Sequence, residues 1–307
     1  MMVLVWGFHF IVMKDAVTNV APLTYNALRF LIGLPVITLL MLRDRPLLQI
    51  SRRDLGLIMV LVLIGPTLYQ VGFVLGIKRT TSTNAALLVA TMPTWTAVFS
   101  LLLGQVEVRR RLVGGILLTL AGVALVVVGK AGSAGLGLSH DDMVGSALVL
   151  GAAMANGLSN IMNKPVVDRL GGMRLAVWKY WGTALALTVI AAPELLTLSG
   201  DDVPLRSIPN VLYSGLLSGV GGFVFMHYAL HKIGPTRTAS YFNFNPIVAA
   251  FAGIVILGEP LTVALLIGGG LTLIGVLQVR NNIYLRRSPP PRDSVPDRSR
   301  PDPHTAR

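Results

Sequence analysis

Residues 112–128, LVGGILLTLAGVALVVV, return nearly in register as residues 265–277, LLIGGGLTLIGVL. A shift of 153 residues carries Leu112 onto Leu265, Gly115 onto Gly268, Leu118-Thr119-Leu120 onto Leu271-Thr272-Leu273, and Gly122-Val123 onto Gly275-Val276. The same shift lands Pro93 on Pro246 and Ala97 on Ala250. Earlier in the chain a shift of 150 places Gly7, Ile11 and Lys14 on Gly157, Ile161 and Lys164, and Arg29 on Lys179. One coincidence between two apolar helices means little. A proline and glycine frame shared across two successive segments marks an internal repeat.

Working outward, apolar segments recur at about 3–20, 22–41, 55–77, 83–103, 112–128, 143–162, 175–192, 208–230, 239–257 and 261–277. About 20 apolar residues let a helix cross a bilayer. The 307 residues are 53% hydrophobic and 13% charged, with a mean hydropathy of +0.68. Soluble domains carry roughly 25% charge, so this chain lacks the polar cover to stay in water. The reading is an all-α polytopic membrane protein with ten transmembrane helices. Cysteine is absent, which removes disulfides, thiolate metal sites and thiol catalysis. The repeat divides the chain into residues 1–129 and 143–279, joined by a linker at 130–142 and followed by a tail at 280–307. Five spans per half is an odd number, so the halves enter the membrane inverted. Secondary transporters recurrently have this build, with substrate held near the midplane between the halves.

A net charge of +12 and a pI near 10.6 invite a nucleic-acid partner. The placement of the cations argues against one. Alternate loops hold Arg43, Arg45, Arg52 and Arg53; Arg109 to Arg111; Lys164, Arg169 and Arg174; and Lys232 and Arg237. The opposite loops hold only Lys14, Lys78, Arg79, Lys130 and Arg206, together with Asp141, Asp142, Glu194, Asp201 and Asp202. The positive-inside rule then puts both termini in the cytoplasm, and the expected location is the cell inner (plasma) membrane. No cation precedes Lys14, so the first segment reads as a span and not as a cleavable signal. It begins abruptly, as though a few natural residues precede Met1. Beyond Arg280 the chain is rich in Arg, Pro and Ser and reads as a disordered basic cytoplasmic tail.

The stretches LGIKRTTSTNAALLVATMPTWTAVFSLLLGQ (75–105) and YALHKIGPTRTASYFNFNPIVAAFAGIVILGEPLT (228–262), the latter followed by GGGLTLIGV (268–276), resemble the EamA repeat of the drug/metabolite transporter superfamily. Trp6-Gly7 through Lys14 and Pro22 to Arg29-Phe30 resemble it as well. The resemblance runs from Trp6 to Val276 in two copies. It implies ten helices in two inverted halves that move small metabolites, commonly outward. Within the superfamily the chain looks like exporters of amino acids, aromatic ones among them. The second copy has Gly258-Glu259-Pro260 where the first has Gly104-Gln105, so no role for that carboxylate carries over to the first copy.

Polar side chains inside spans mark candidate sites, because lipid penalises them. Asn84, Leu88, Thr91 and Trp95 share one face of the fourth span; Arg237, Tyr241, Phe244 and Val248 share the matching face of the ninth. Amide, hydroxyl and indole opposite two aromatic rings would line a pocket for an amphipathic molecule. The plainer reading has the aromatics in core or lipid and the hydroxyls bonded to their own backbone. Asn156, Asn160 and Asn163 lie at i, i+4 and i+7 on the sixth span, either to bind substrate ammonium and carboxylate or to hold helices together. Arg29 would take a substrate carboxylate through two parallel hydrogen bonds, and Lys179 matches it; both could equally snorkel to an interface. Tyr69, Gln70, His227 and Tyr228 sit mid-span or near an end. No Asp or Glu lies deep in a span, which leaves His9 and His227 as the groups able to titrate there. Transport down the substrate gradient, or weak coupling through His, is therefore expected over carboxylate-driven antiport.

The expected partners are a small-molecule substrate, an amino acid or similar amphipathic metabolite, and the lipid bilayer. The glycine-rich fifth and tenth spans read as scaffold or as a homodimer surface. No cofactor or metal is implied. An importer or facilitator of another small metabolite, such as a vitamin or drug-like cation, is the alternative. An intramembrane hydrolase using Ser218 and His227 is remote: no Gly stands two residues before that Ser and no acid is placed to orient the base. A channel is remote too, since no ring of charges or carbonyl filter motif is visible.

Overall fold

The computed structural model describes residues 1–43, 45–129, 140–242 and 244–283, and its elements are all helices. Most of the expected linker, and the tail from residue 284, lie outside the described residues. We number the helical stretches α1 Met2–Asn19, α2 Pro22–Arg43, α3 Arg52–Arg79, α4 Ser82–Leu102 and α5 Arg110–Gly129. They continue as α6 His140–Leu170, α7 Gly172–Ile190, α8 208–233, α9 Asn245–Leu257 and α10 Val263–Asn282. Among the described residues, seven stretches are long and apolar enough to cross a membrane: α2 to α6, α10, and Leu205–Met226, which overlaps the first part of α8. The other three are more polar or shorter. His9, Lys14 and Asp15 dilute α1, Arg174 and Lys179 dilute α7, and α9 has 13 residues.

Local chemistry explains where the helices start and stop. Ser51, Thr81 and Thr262 cap α3, α4 and α10, each side-chain oxygen accepting from the backbone N–H three residues on. Gly171 (φ 83), Gly234 (φ 78) and Gly258 (φ 66) take the left-handed backbone that ends α6, α8 and α9. α3 widens into a π turn at Leu63–Thr67, where Pro66 has no N–H to give and its ring crowds the preceding turn. α8 widens likewise at Tyr213–Gly221, 150 residues later. α4 breaks at Thr91 before Pro93, and the helix leading into α9 breaks at Phe244 before Pro246, 153 residues later.

The packing follows the same arithmetic. α5 lies along α10, the most extensive helix pair in the bundle. A Cβ built on Gly122 would stand 2.5 Å from the Thr272 nitrogen and 2.6 Å from the Gly268 oxygen. One built on Gly275 would stand 2.5 Å from the Thr119 nitrogen and 2.8 Å from the Gly115 oxygen. Only hydrogen fits there, so the glycine stripes bring two backbones together. Those stripes, expected as scaffold or as a dimer surface, make a contact within the chain. Gly7 of α1 meets Val248 of α9, and Gly157 of α6 meets Trp95 of α4, the same contact made reciprocally between the halves.

A buried cluster including Phe10, Met13, Tyr25, Phe73, Ile77, Leu88 and Val149 joins α1, α2, α3, α4 and α6. The periphery is apolar instead of charged, with Leu117, Leu185 and Phe251 61%, 61% and 68% exposed, as lipid-facing helices require.

At one end of the bundle, carboxylates latch neighbouring helices. Asp142 accepts from Thr80 Oγ1 at 2.6 Å, Glu194 from Thr24 Oγ1 at 2.7 Å, and Asp15 from Asn210 Nδ2 at 2.6 Å. Glu259 accepts from the Ser82 and Thr83 nitrogens at 2.6 and 3.0 Å, so a carboxylate of the C-terminal half caps α4 of the N-terminal half. Lys14 Nζ completes this end by donating to the carbonyls of Ile77, Lys78 and Thr80 at the close of α3. At the other end, Arg169 pairs with Asp54 and Trp178 Nε1 donates to the Leu47 carbonyl at 2.9 Å.

Candidate functional site

Inside the bundle lies a cavity of about 820 Å³ bounded by α1, α2, α3, α4, α6, α7, α8, α9 and α10. It reaches as far as Arg280 and Ile283 at the C-terminal end of α10, away from the carboxylate latches. Most of the wall is apolar, with a few polar groups converging on it, the composition of a small-molecule site.

Its most unusual feature is Arg29, a guanidinium only 6% exposed. Arg29 Nε donates to Asn26 Oδ1 at 2.9 Å, Nη1 to His9 Nε2 at 2.8 Å, and Nη2 to Gln70 Oε1. Asn26 is held in turn by its Nδ2, which donates to the Gln70 carbonyl at 3.1 Å. All three acceptors are neutral; among the described residues no carboxylate pairs with Arg29. A guanidinium has five donors, and these bonds use three. The rings of Phe30 and Tyr25 lie 5.2 and 6.0 Å from its central carbon. A charge buried among neutral groups is costly, and an anion entering the cavity would offset it.

The geometry also settles the state of His9. Guanidinium cannot accept, so His9 Nε2 accepts and the ring proton sits on Nδ1, which donates to Ser214 Oγ at 3.3 Å. Ser214 Oγ lies 2.5 Å from the Tyr25 hydroxyl. His9 is thus a neutral positioning group for Arg29. Protonating it would break the bond to Arg29 and set two cations face to face.

Sequence candidates divide sharply here. His9, Arg29, Tyr69, Asn156 and Asn160 line the cavity together. Asn156 Nδ2 reaches Met92 Sδ at 3.0 Å, and Asn160 is exposed to the space. Asn163 turns away and accepts from Lys179 Nζ at 3.1 Å. Asn84, Thr91, Trp95, Tyr241 and Phe244 are not among the lining residues. Asn84 is fully buried and donates to Thr80 and Ser146 hydroxyls, both at 2.8 Å. Thr91 bonds its own turn through the Leu88 carbonyl at 2.6 Å. Trp95 packs on Gly157 with its indole nitrogen unpartnered, while Tyr241 and Phe244 are each 53% exposed on the outside of the bundle. The helix break at Thr91 parts Trp95 from the face of Asn84 and Leu88, while Asn84 and Thr91 spend their polar groups on neighbouring protein. Ser218 lines the cavity and its carbonyl accepts from Trp6 Nε1 at 2.9 Å, whereas the His227 side chain lies outside the described ones.

Residues beyond the sequence candidates complete the wall. Trp6 stacks on Phe242 with ring centroids 5.1 Å apart, and Phe30 and Tyr180 close another side at 5.0 Å. The repeat carried a signal for the second pair, because Tyr180 stands 150 residues after Phe30 just as Lys179 follows Arg29.

Fold and cavity together define a polytopic α-helical membrane protein with a solute-sized chamber inside its bundle. The chain belongs to the EamA-like transporter family, whose model matches residues 1–128 and 143–280. It is 30% identical over 237 residues to a probable terminal-alkyne amino-acid exporter of Streptantibioticus cattleyicolor, covering 76% of each chain. An uncharacterized transporter of Archaeoglobus fulgidus is 25% identical over 88% of this chain and 93% of its own. A probable amino-acid metabolite efflux pump of Salmonella typhimurium is 25% identical over 93% and 92%. A solved crystal structure superposes with a TM-score of 0.61 at 19% identity, covering 90% of this chain and 93% of the other, a likeness of fold.

Proposed function

We propose that this transporter is a secondary carrier that exports amino acids, or closely related amphipathic carboxylates, across the cell inner membrane. In this reading it has ten crossings in two inverted halves, residues 1–129 and 143–279, with both termini cytoplasmic, and is not an enzyme. The buried Arg29 facing an 820 Å³ chamber, with no carboxylate partner among the described residues, carries the proposal. The substrate carboxylate takes the remaining guanidinium donors as a charge-assisted pair. Asn156 and Asn160 accept from its ammonium, and its apolar side chain lies against Trp6, Phe30 and Phe242. The reciprocal glycine contacts and the two π turns at matching positions support the inverted halves. With positively charged loops inward, this reading puts the carboxylate latches on the outward end and the Arg280 end of the chamber towards the cytoplasm.

Counterflow of radiolabelled L-phenylalanine and other amino acids into proteoliposomes tests this directly. Wild-type protein is expected to exchange at least one amino acid, and Arg29→Gln to lose that exchange while remaining folded. Folded protein that moves no amino acid, or an R29Q variant that exchanges like wild type, overturns the proposal.

A further inference from the structure

A second cavity, a cleft of about 360 Å³, lies beside the first and is lined by Pro66, Asn163, Lys179 and Thr183 together with Phe30 and Tyr180. Phe30 and Tyr180 also line the central chamber. Their rings are 5.0 Å apart at 37°, and the Tyr180 hydroxyl donates to the Phe30 carbonyl at 3.4 Å. A single layer of two aromatic side chains therefore bounds both spaces.

The groups beyond that layer repeat those in front of it. Lys179 stands 150 residues after Arg29, Tyr180 150 after Phe30, and Ser159 150 after His9. Arg29 donates to His9, and Lys179 Nζ donates to Ser159 Oγ at 3.2 Å. Its second bond goes to Asn163 Oδ1 at 3.1 Å. An ammonium has three donors, and both partners here are neutral. Among the described residues no carboxylate pairs with Lys179. Lipid-embedded cations are costly unless neutralised, so both mates have the same unmet requirement, an anion.

We propose that the Lys179 cleft is a second carboxylate subsite, the repeat mate of the Arg29 site, and that Phe30 and Tyr180 are the partition the solute passes. This rests on the carrier reading above. When inverted halves exchange conformations, repeat mates exchange surroundings. Arg29 then becomes the confined group and Lys179 the one facing the large chamber. A carboxylate released by one cation is taken up by the other, and the negative charge is never left uncompensated midway. Tyr180 differs from Phe30 by a hydroxyl, which ties the two α2–α7 faces while the partition is shut.

The test is equilibrium binding of radiolabelled L-phenylalanine to the full chain in lipid nanodiscs, with folding checked by monodispersity. Lys179→Gln is expected to lower saturable label per chain to about half, Arg29→Gln likewise, and the double variant to abolish it; Lys179→Arg, which keeps the charge, restores binding. Wild-type stoichiometry in K179Q, or the same loss in K179R as in K179Q, overturns the second subsite and leaves the Arg29 reading standing. Wild-type protein that binds no label, with other radiolabelled amino acids equally silent, overturns both.

Discussion

Gly122→Ala is the smallest change that tests how the halves are joined. Its new methyl carbon would lie 2.5 Å from the Thr272 nitrogen and 2.6 Å from the Gly268 oxygen, against ordinary contact at 3.4 Å and beyond. Both obstacles are backbone or bonded to it, so no rotamer relieves them. α5 and α10 must part by about 0.9 Å at that point. A gap of that size forfeits about a quarter to a half of each dispersion contact along the seam. Overpacking of this kind costs about 1–3 kcal/mol. At roughly 1.5 °C per kcal/mol for a chain of 307 residues, the melting temperature in detergent should fall by about 3 °C. Gly270 and Gly151 serve as controls, since nothing lies within 4 Å of a Cβ at either position. G270A and G151A should melt at or above the wild-type temperature, glycine being a poor helix former by about 1 kcal/mol. The double variant G122A/G275A should lose less than the sum of the singles, because one separation relieves both clashes. Thermal unfolding of the full chain, followed by loss of the monodisperse peak, reads the two singles, the double and both controls. If G122A melts with G270A, the α5–α10 contact does not hold the halves as described.

Other perturbations test the remaining assignments. Trp95→Phe should transport within about twofold of wild type, because the indole nitrogen has no partner and the ring lies off the chamber; counterflow rates check it. Glu194→Gln weakens the acceptor held by the Thr24 nitrogen and hydroxyl at the start of α2 and should cost about 1 kcal/mol of thermal stability. Asp54→Asn should change stability by less than about 1 kcal/mol, since its partner Arg169 is 48% exposed and water screens the pair. Arg29→Lys keeps a charge but loses the planar fork, so the KM for amino-acid exchange should rise about tenfold with folding intact.

Part of the site was legible in the linear chain and part was not. Arg29 and His9 stood out because a charge or an imidazole among apolar neighbours has few inexpensive places to go. Asn156 and Asn160 were found by helical spacing alone. The same spacing argument failed for Asn84, Thr91 and Trp95, and for Tyr241 and Phe244. The break at Thr91, two residues before Pro93, parts Trp95 from the rest of its face, Asn84 and Thr91 bond to neighbouring protein, and Tyr241 and Phe244 are exposed away from the chamber lining. Asn163 was grouped with its neighbours by the same logic, yet it faces Lys179. The roles of Glu259 and Lys14 were invisible for a different reason: each satisfies backbone groups at the end of a helix distant in sequence.

Composition and periodicity by themselves determined that this chain is helical and lives in lipid, because 13% charge cannot wet its surface and apolar runs of span length recur throughout. The glycine and proline frame determined which segments resemble one another. Tertiary structure alone decided that the glycines of residues 112–128 and 265–277 meet inside one chain, that two π turns bend α3 and α8, and that Arg29, Gln70, Asn156 and Trp6 share one chamber. The physical reason is that hydrophobicity and backbone propensity are properties of neighbours along the chain. Which buried cation meets which amide, hydroxyl or ring depends on helices packing face to face across about 150 residues, a distance over which local pattern carries no direction.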